Sequence, residues 1–513
     1  MGGLEELLVL FVAAVILAAA ARRVGAPYPV FLAIGGALLA FLPGAPSFTV
    51  PPDLVLALFV APVLLDAAYD ASLRDLRDNW APVTGLVIFA VGLTTAAVAI
   101  VTHFLIPTIP WAAAIALGAV VAPPDAVAAT AVLRPLRPPH RLLTILEGES
   151  LLNDASALLI YRLAVGAAAG SFSIAGVAPA FLLAVVGSVV VGPALALIVV
   201  RIVQRVQHAP TSIIVQFVAA FAVWIFAEYL GLSGVLTTVC FAITAARSGP
   251  ERMPAVMRIP SYAVWDTAVF TLNILAFIFI GLQIRPIFES LDPADRGRYL
   301  AVAGAVLLTV ILVRFAWHMP FNAVIRWRDR RRGFHPPRPM LRPTVGSGLL
   351  ISWAGMRGIV TLAAALALPP AFPYRELIVL TAFAVVLGTL VIQGLTLKAL
   401  LRVLKLRDDD PVGRELIAAR ERALRAALAS LDDDRSPLAD VVRHELTARL
   451  GRKDATQPSA DPVSAHGEIH GRALQAARRA ALAMRASDEI GDDAFHQLEE
   501  ELDWLEMPDS RRA

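Results

Sequence analysis

Between Leu4 and Leu401 the chain passes through one apolar window of about twenty residues after another, with short polar links between them. A helix of that length crosses the hydrocarbon of a bilayer, where a backbone must satisfy its own hydrogen bonds. Thirteen windows can be placed, at 4–21, 28–43, 53–71, 81–104, 109–131, 143–166, 173–203, 210–229, 233–247, 262–283, 299–320, 343–369 and 375–401. They make the chain an all-α polytopic membrane protein. Composition agrees: 57% of residues are hydrophobic, 17% are charged and the mean hydropathy is +0.68, whereas soluble domains carry about a quarter charged residues. The opening MGGLEELLVLFVAAVILAAAARR has no basic leader and reads as the first spanning helix.

The net charge of +3 comes mostly from arginines in the links, which points to membrane orientation and not to nucleic acid. With the N-terminus outside, the cytoplasmic links hold Arg22, Arg23, Arg74, Arg77, Arg134, Arg137, Arg141, Arg201, Arg205, Arg247, Arg252, Arg258 and the cluster Arg326 to Arg342. The external links hold Arg162, Arg285, Arg296, Arg298 and Arg375. That is the asymmetry the positive-inside rule demands of a multi-pass membrane protein, and an odd number of crossings puts the C-terminus in the cytoplasm. Cys240 is the one cysteine, so neither an intrachain disulfide nor a thiolate metal site is available. After Lys405 the composition turns charged and alanine-rich. Residues 1–406 therefore read as a transmembrane domain with its core around 81–166 and 299–401. Residues 407–513 read as a helical cytoplasmic tail, with a flexible link at 452–468 and helix resuming over 470–506. The tail is either a solvated appendage or a regulatory, dimer-supporting element.

Ionisable side chains inside a spanning helix are costly and mark function. The sixth window contains EGESLLNDASALLIY, in which Glu149 and Asn153 share one helical stripe and Ser150 and Asp154 the next. At 1.5 Å per residue from a start near residue 142, Glu149 lies about 10 Å deep and Asp154 about 18 Å, near the midplane. Arg314, counted back from an end near residue 320, lies about 9 Å deep. A buried guanidinium needs a carboxylate, and Glu149 matches its depth, which leaves Asp154 without a fixed cation.

Two windows are interrupted. Pro123 and Pro124 break the fifth just before Asp125, where the positive end of a second half-helix suits an anion. Gly355, Arg357 and Gly358 interrupt the twelfth. Broken helices at mid-membrane, one in each half, are the build of a transporter ion site and hint at inverted repeats. Asp66, Glu228, Asp266 and Asn273 lie near window ends and read as interfacial or packing residues, as does His318. No HExxH, GxxxxGK[ST] or CxxC motif is present, so no enzyme constellation is seen and no cofactor is called for.

GESLLNDASAL (148–158) resembles the Asn-Asp motif of sodium/proton exchangers in the monovalent cation:proton antiporter superfamily. Supporting stretches are APYPVFLAIGG (26–36), APPDAVAATAV (122–132), GLSGVL (231–236), FIFIGLQ (277–283), VRFAW (313–317), WAGMRGIVTLAAALALP (353–369) and VIQGLT (391–396). The resemblance implies thirteen helices with two unwound crossing helices, a homodimer and an elevator-like movement of the core. It implies Asp154 as ion and proton carrier with Asn153 beside it, Ser150 near the ion, Glu149 paired with Arg314, and Asp125 and Arg357 on the crossing helices. Asp154, Ser150 and Glu149 are the expected oxygen side chains for the metal ion. Pro124 stands where the family usually has threonine, leaving the Pro124 carbonyl at that position.

These readings lead to one mechanism. Asp154 takes a monovalent cation, sodium first, or a proton, in alternation; with one exchanging charge the exchange is one-for-one and indifferent to voltage. Potassium/proton exchange, a cation channel and a non-transporting membrane sensor remain as alternatives.

Overall fold

The computed structural model describes residues 2–24, 26–42, 51–168, 174–248, 255–333 and 342–406, with scattered positions from 410 to 447. Every regular element among the described residues is helical. The first helix, α1, spans Gly2–Val24; α2 is Tyr28–Leu39, α3 covers 52–70 and α4 is Trp80–Leu105. The fifth is in two parts, α5a (Trp111–Val121) and α5b (Ala126–Leu133). There follow α6 (His140–Ala168), α7 (Ile174–Arg205), α8 (Ala209–Tyr229), α9 (Gly234–Ser248), α10 (Ala255–Leu282) and α11 (Arg296–Arg332). The twelfth is again in two parts, α12a (Val345–Trp353) and α12b (Ile359–Leu366), before α13 (Arg375–Leu404). Among the described residues eight stretches are long and apolar enough to cross a membrane: α4, the α5 pair, α6, α7, α8, α10, α11 and α13. The remaining windows fall on α1, of 23 residues, and on shorter or interrupted helices, so the count of thirteen crossings rests on sequence.

The chain divides into two compact units, Met1–Val412 and Gly413–Ala513. The tail's link at 452–468 and its helix at 470–506 lie outside the described residues. Within the first unit, buried apolar side chains gather in two main clusters. The larger draws on α1, α2, α4, both α5 halves, α6 and α10 to α13; the smaller draws mainly on α3, α7, α8, α9 and α10. Alanine and glycine let the helices approach closely, as is usual where lipid supplies no hydrophobic drive between them. Gly36 of α2 and Gly281 of α10 lie face to face: a methyl on either meets the partner's backbone, the Ile278 and Ala33 carbonyls respectively.

Two local irregularities have chemical partners. A π turn at Gly85–Ala90 within α4 leaves a carbonyl that accepts from Trp317 Nε1 at 2.9 Å. The second is a departure from the sequence expectation. The window at 299–320 stops at Pro320, but α11 continues through that proline to Arg332. A single proline removes one N–H, and the arginine-rich turns beyond it have water to face. At 37 residues the helix is about 55 Å long, well beyond the roughly 30 Å of hydrocarbon. His318 therefore sits within the helix and is buried, which corrects its reading as an interface residue.

Gly281→Leu is expected to force α2 and α10 apart and to destabilise the protein by about 1–3 kcal/mol or more. Gly304→Ala, where an added methyl meets nothing within 4 Å, is expected to leave stability within about 0.5 kcal/mol. Unfolding midpoints of both variants in detergent check the contrast.

Candidate functional site

The two interrupted helices cross at their breaks, and each break supplies what the other lacks. The backbone N–H of Asp125 donates to the Met356 carbonyl at 2.7 Å. Arg357, 1% exposed, turns back to the end of α5a. Its Nε donates to the Val121 carbonyl and its Nη2 to that of Ala122, both at 3.0 Å, and its Nη1 bonds the Gly355 carbonyl. Its own N–H donates to Thr389 Oγ1 of α13 at 3.1 Å. A cation thus lies on the negative end of a half-helix and takes up carbonyls that the break releases. Arg314 does the same for α12a, with Nε donating to the Ile351 carbonyl at 3.1 Å.

The positive ends of the other two half-helices meet a carboxylate. Asp125 caps α5b, accepting from the Val127 N–H at 2.8 Å. Gly358, which opens α12b, packs so close to the same carboxyl group that any side chain at 358 collides with it. Asp125 is thereby placed against two helix N-termini. Helix α6 is tied to this centre by two further bonds. Asn153 Nδ2 donates to the Pro124 carbonyl at 2.9 Å, and Ser150 Oγ accepts from the Ala126 N–H at 3.2 Å. Asn153 Oδ1 is buried and has no hydrogen-bond partner among the described residues.

The Arg314 guanidinium lies across Glu149 with two parallel bonds of 2.5 and 2.7 Å, the arginine 3% and the glutamate 1% exposed. Both carboxylate oxygens are occupied, the geometry of a bidentate pair. Glu149 and Arg314 thus pair as their matched depths predict, although α11 runs on past Pro320 to Arg332.

Asp154 is 8% exposed. It sits between two cavities. One, of about 330 Å³, is lined by Asp154, Ser150, Asp125, Thr130, Asp66 and Asn273, with Asp70, Arg134 and Glu147 also on its walls. The other, of about 10 Å³, lies against Ala157, Tyr161 and Val360 and is at the lower limit for one water. No hydrogen bond or ion pair to Asp154 is found among the described residues, and Glu149 lines neither cavity. Of the expected site residues, Asp154, Ser150 and Asp125 share the large cavity; Asn153 and Pro124 bond each other beside it; Glu149, Arg314 and Arg357 hold the scaffold behind it.

Asp66 and Asn273, read from their positions as interfacial or packing residues, line the cavity that Asp154 lines. Asp266 lines a neighbouring cavity of about 520 Å³ that also includes Asp66 and Asp70. Glu228 pairs with Arg162 at 2.9 Å and accepts from the Gly234 N–H at 3.2 Å. Thr389 carries no sequence signal and is found by its bond to Arg357.

The family described as sodium/hydrogen exchanger, transmembrane, matches residues 8–403. The chain belongs to that family. An uncharacterised Na+/H+ exchanger of Mycobacterium tuberculosis is 30% identical over 98% of this chain and 96% of its own length. A sodium, potassium, lithium and rubidium/H+ antiporter of Bacillus subtilis is 29% identical over 94% of this chain and 74% of its own. In three dimensions the sodium proton antiporter MjNhaP1 of Methanocaldococcus jannaschii shares the fold, with a TM-score of 0.58 over 79% of this chain and 99% of that one, at 17% identity. The exchanger is therefore a secondary transporter that moves monovalent cations against protons, and not an enzyme; the channel and sensor readings fall away.

In the exchanger, Glu149→Ala is expected to strand a buried guanidinium and destabilise by about 3–5 kcal/mol. Replacing Glu149 and Arg314 together with leucine is expected to destabilise by less than either single change. Denaturant titrations of the singles and the double give the coupling; strictly additive losses contradict the pair.

Proposed function

We propose that the protein exchanges one monovalent cation, sodium first, for one proton, with Asp154 as the seat that both occupy in turn. The observation that carries this reading is a difference among buried carboxylates. Glu149 is matched by Arg314, and Asp125 faces the positive ends of two half-helices. Asp154 faces a cavity whose one lining cation among the described residues, Arg134, is bonded to Glu147 at 2.9 Å. A bare carboxylate away from bulk water is expensive, so the seat is neutralised by a cation or by a proton. Either filled form is neutral and can change sides; the empty, charged form cannot. Ser150 Oγ and the Asp125 carboxyl group line the same cavity and supply further oxygens. The Pro124 carbonyl already accepts from Asn153, so Asn153 positions the break and Asp154 carries the charge.

The large cavity runs from Asp154 to Glu147, seven residues back along α6 and so about 10 Å, towards the arginine-rich links. With the N-terminus outside and the 407–513 tail in the cytoplasm, this is the inward-open form, and the 10 Å³ void beyond Asp154 is the closed outer side. Movement of the core against α3 and α7 to α10 exchanges the two. A homodimer in the bacterial plasma membrane, with a regulatory tail, completes the proposal on the strength of the family. Potassium is the second reading for the cation: the cavity is wide for one dehydrated ion, and the Bacillus subtilis relative carries four alkali cations in its name.

Proteoliposomes loaded with a pH dye test the carrier. Asp154→Asn is expected to lose all cation-driven proton flux, while Ser150→Ala keeps the maximal rate and raises the cation KM about 5- to 30-fold, the loss of one oxygen ligand worth about 1–2 kcal/mol. Flux surviving in Asp154→Asn removes the proposal. Charge balance gives a separate check. Vesicles clamped at two potentials 100 mV apart are expected to exchange at the same rate. Net transfer of one charge places roughly 2.3 kcal/mol on the cycle, and a clear dependence on voltage contradicts one-for-one exchange.

A further inference from the structure

A cavity of about 490 Å³ lies behind the core, away from Asp154, between the ends of α4, α6, α11, α12a and α13. Its size is that of a small-molecule site. Two parts of its wall differ in character. Pro82, Leu142, Ile145, Ile325 and Ile351 make most of it apolar, whereas Arg141, Arg342 and Lys405 are basic. Among the described residues no acidic side chain lines it; Arg141 donates through Nε to Asn79 Oδ1 at 2.8 Å and feels the charge of Asp329 of α11. Arg342 and Lys405 are exposed. Arg141 begins α6, Arg342 precedes α12a and Lys405 closes α13, so the three cations lie at the ends of spanning helices, where hydrocarbon gives way to headgroups.

Three cations at helix ends beside an apolar slot suit an amphiphile with an anionic head. We infer that this cavity holds an anionic phospholipid from the leaflet it opens to, headgroup on Arg342 and Lys405, acyl portion against Ile325 and Ile351. A second feature points to an occupant. His318 lines the cavity, is 3% exposed, and its Nδ1 has no hydrogen-bond partner among the described residues. Buried polar atoms of that kind are normally satisfied, and a lipid ester or glycerol oxygen supplies the missing partner.

The cavity also touches the core. His318 is one turn from Arg314 on the same face of α11. Ile351 lines the cavity and gives its carbonyl to Arg314 Nε. An occupant therefore braces the strut that holds Glu149, and lipid composition bears on the stability of the core. This is a binding site distinct from the ion seat. Its tests do not involve transport, so their failure and the failure of the exchange proposal are separable.

Native mass spectrometry of the full-length protein, offered phosphatidylglycerol or phosphatidylcholine, reads the inference directly. Phosphatidylglycerol is expected to be retained at several-fold lower lipid concentration and to raise the unfolding temperature. Arg342→Gln and Lys405→Gln are each expected to weaken retention roughly fivefold, and Ile325→Trp, which fills the slot, to abolish it. Equal retention of the two lipids reduces the cavity to an apolar gap and overturns the inference. Retention untouched by the three variants places the lipid elsewhere and overturns it too. Displacement of phosphatidylglycerol by inorganic phosphate identifies a soluble anion in place of a lipid and is equally decisive.

Discussion

A helix broken inside a membrane leaves carbonyl oxygens and N–H groups with no water to accept them, and the exchanger meets this with buried charge. Arg357 takes the carbonyls of Val121, Ala122 and Gly355. Arg314 takes that of Ile351 while binding Glu149 with both arms. Asp125 answers the opposite ends of the same two breaks. Each of these charges would be prohibitive alone in hydrocarbon; together with the half-helix dipoles they form a neutral, closed set. The breaks can persist at the membrane centre because the arginines are there, and the arginines can be buried because the breaks are there.

That closure gives Asp154 its character. With Arg314 committed to Glu149 and to Ile351, and Arg357 to three carbonyls, no cation of the scaffold is left for Asp154. It borders a cavity of 330 Å³ on one side and a void of 10 Å³ on the other. The scaffold thus withholds a permanent partner from one carboxylate and sets it between a wide cavity and a small void. Asn153 shows the same economy: it is neutral, it anchors α6 to the Pro124 carbonyl, and it adds no charge to the seat.

Much of this was legible in the sequence, and the reasons are physical. Paired prolines cannot sit in a continuous helix, so Pro123 and Pro124 announced the first break. Glu149 and Arg314 could be matched across 165 positions because an unpaired buried charge of either sign is untenable. What was not legible depended on partners that leave no mark in a sequence. Arg357 bonds backbone carbonyls, which every residue has, and Thr389 contributes a hydroxyl indistinguishable from many others in α13. Asp66 and Asn273 looked peripheral because position along a helix says little about which cavity a side chain meets. Pro320 looked like an end, but one missing N–H did not stop α11 from running on to Arg332.

A single exchangeable charge is the centre of the proposed mechanism, and counting protons at equilibrium tests it most directly. The purified protein in weakly buffered detergent solution, with a pH indicator present, is given sodium at a pH where Asp154 is protonated. One proton released per cation bound is expected, falling to none in Asp154→Asn. Two protons per cation, or a release unchanged in Asp154→Asn, contradicts the claim that cation and proton share this one carboxylate.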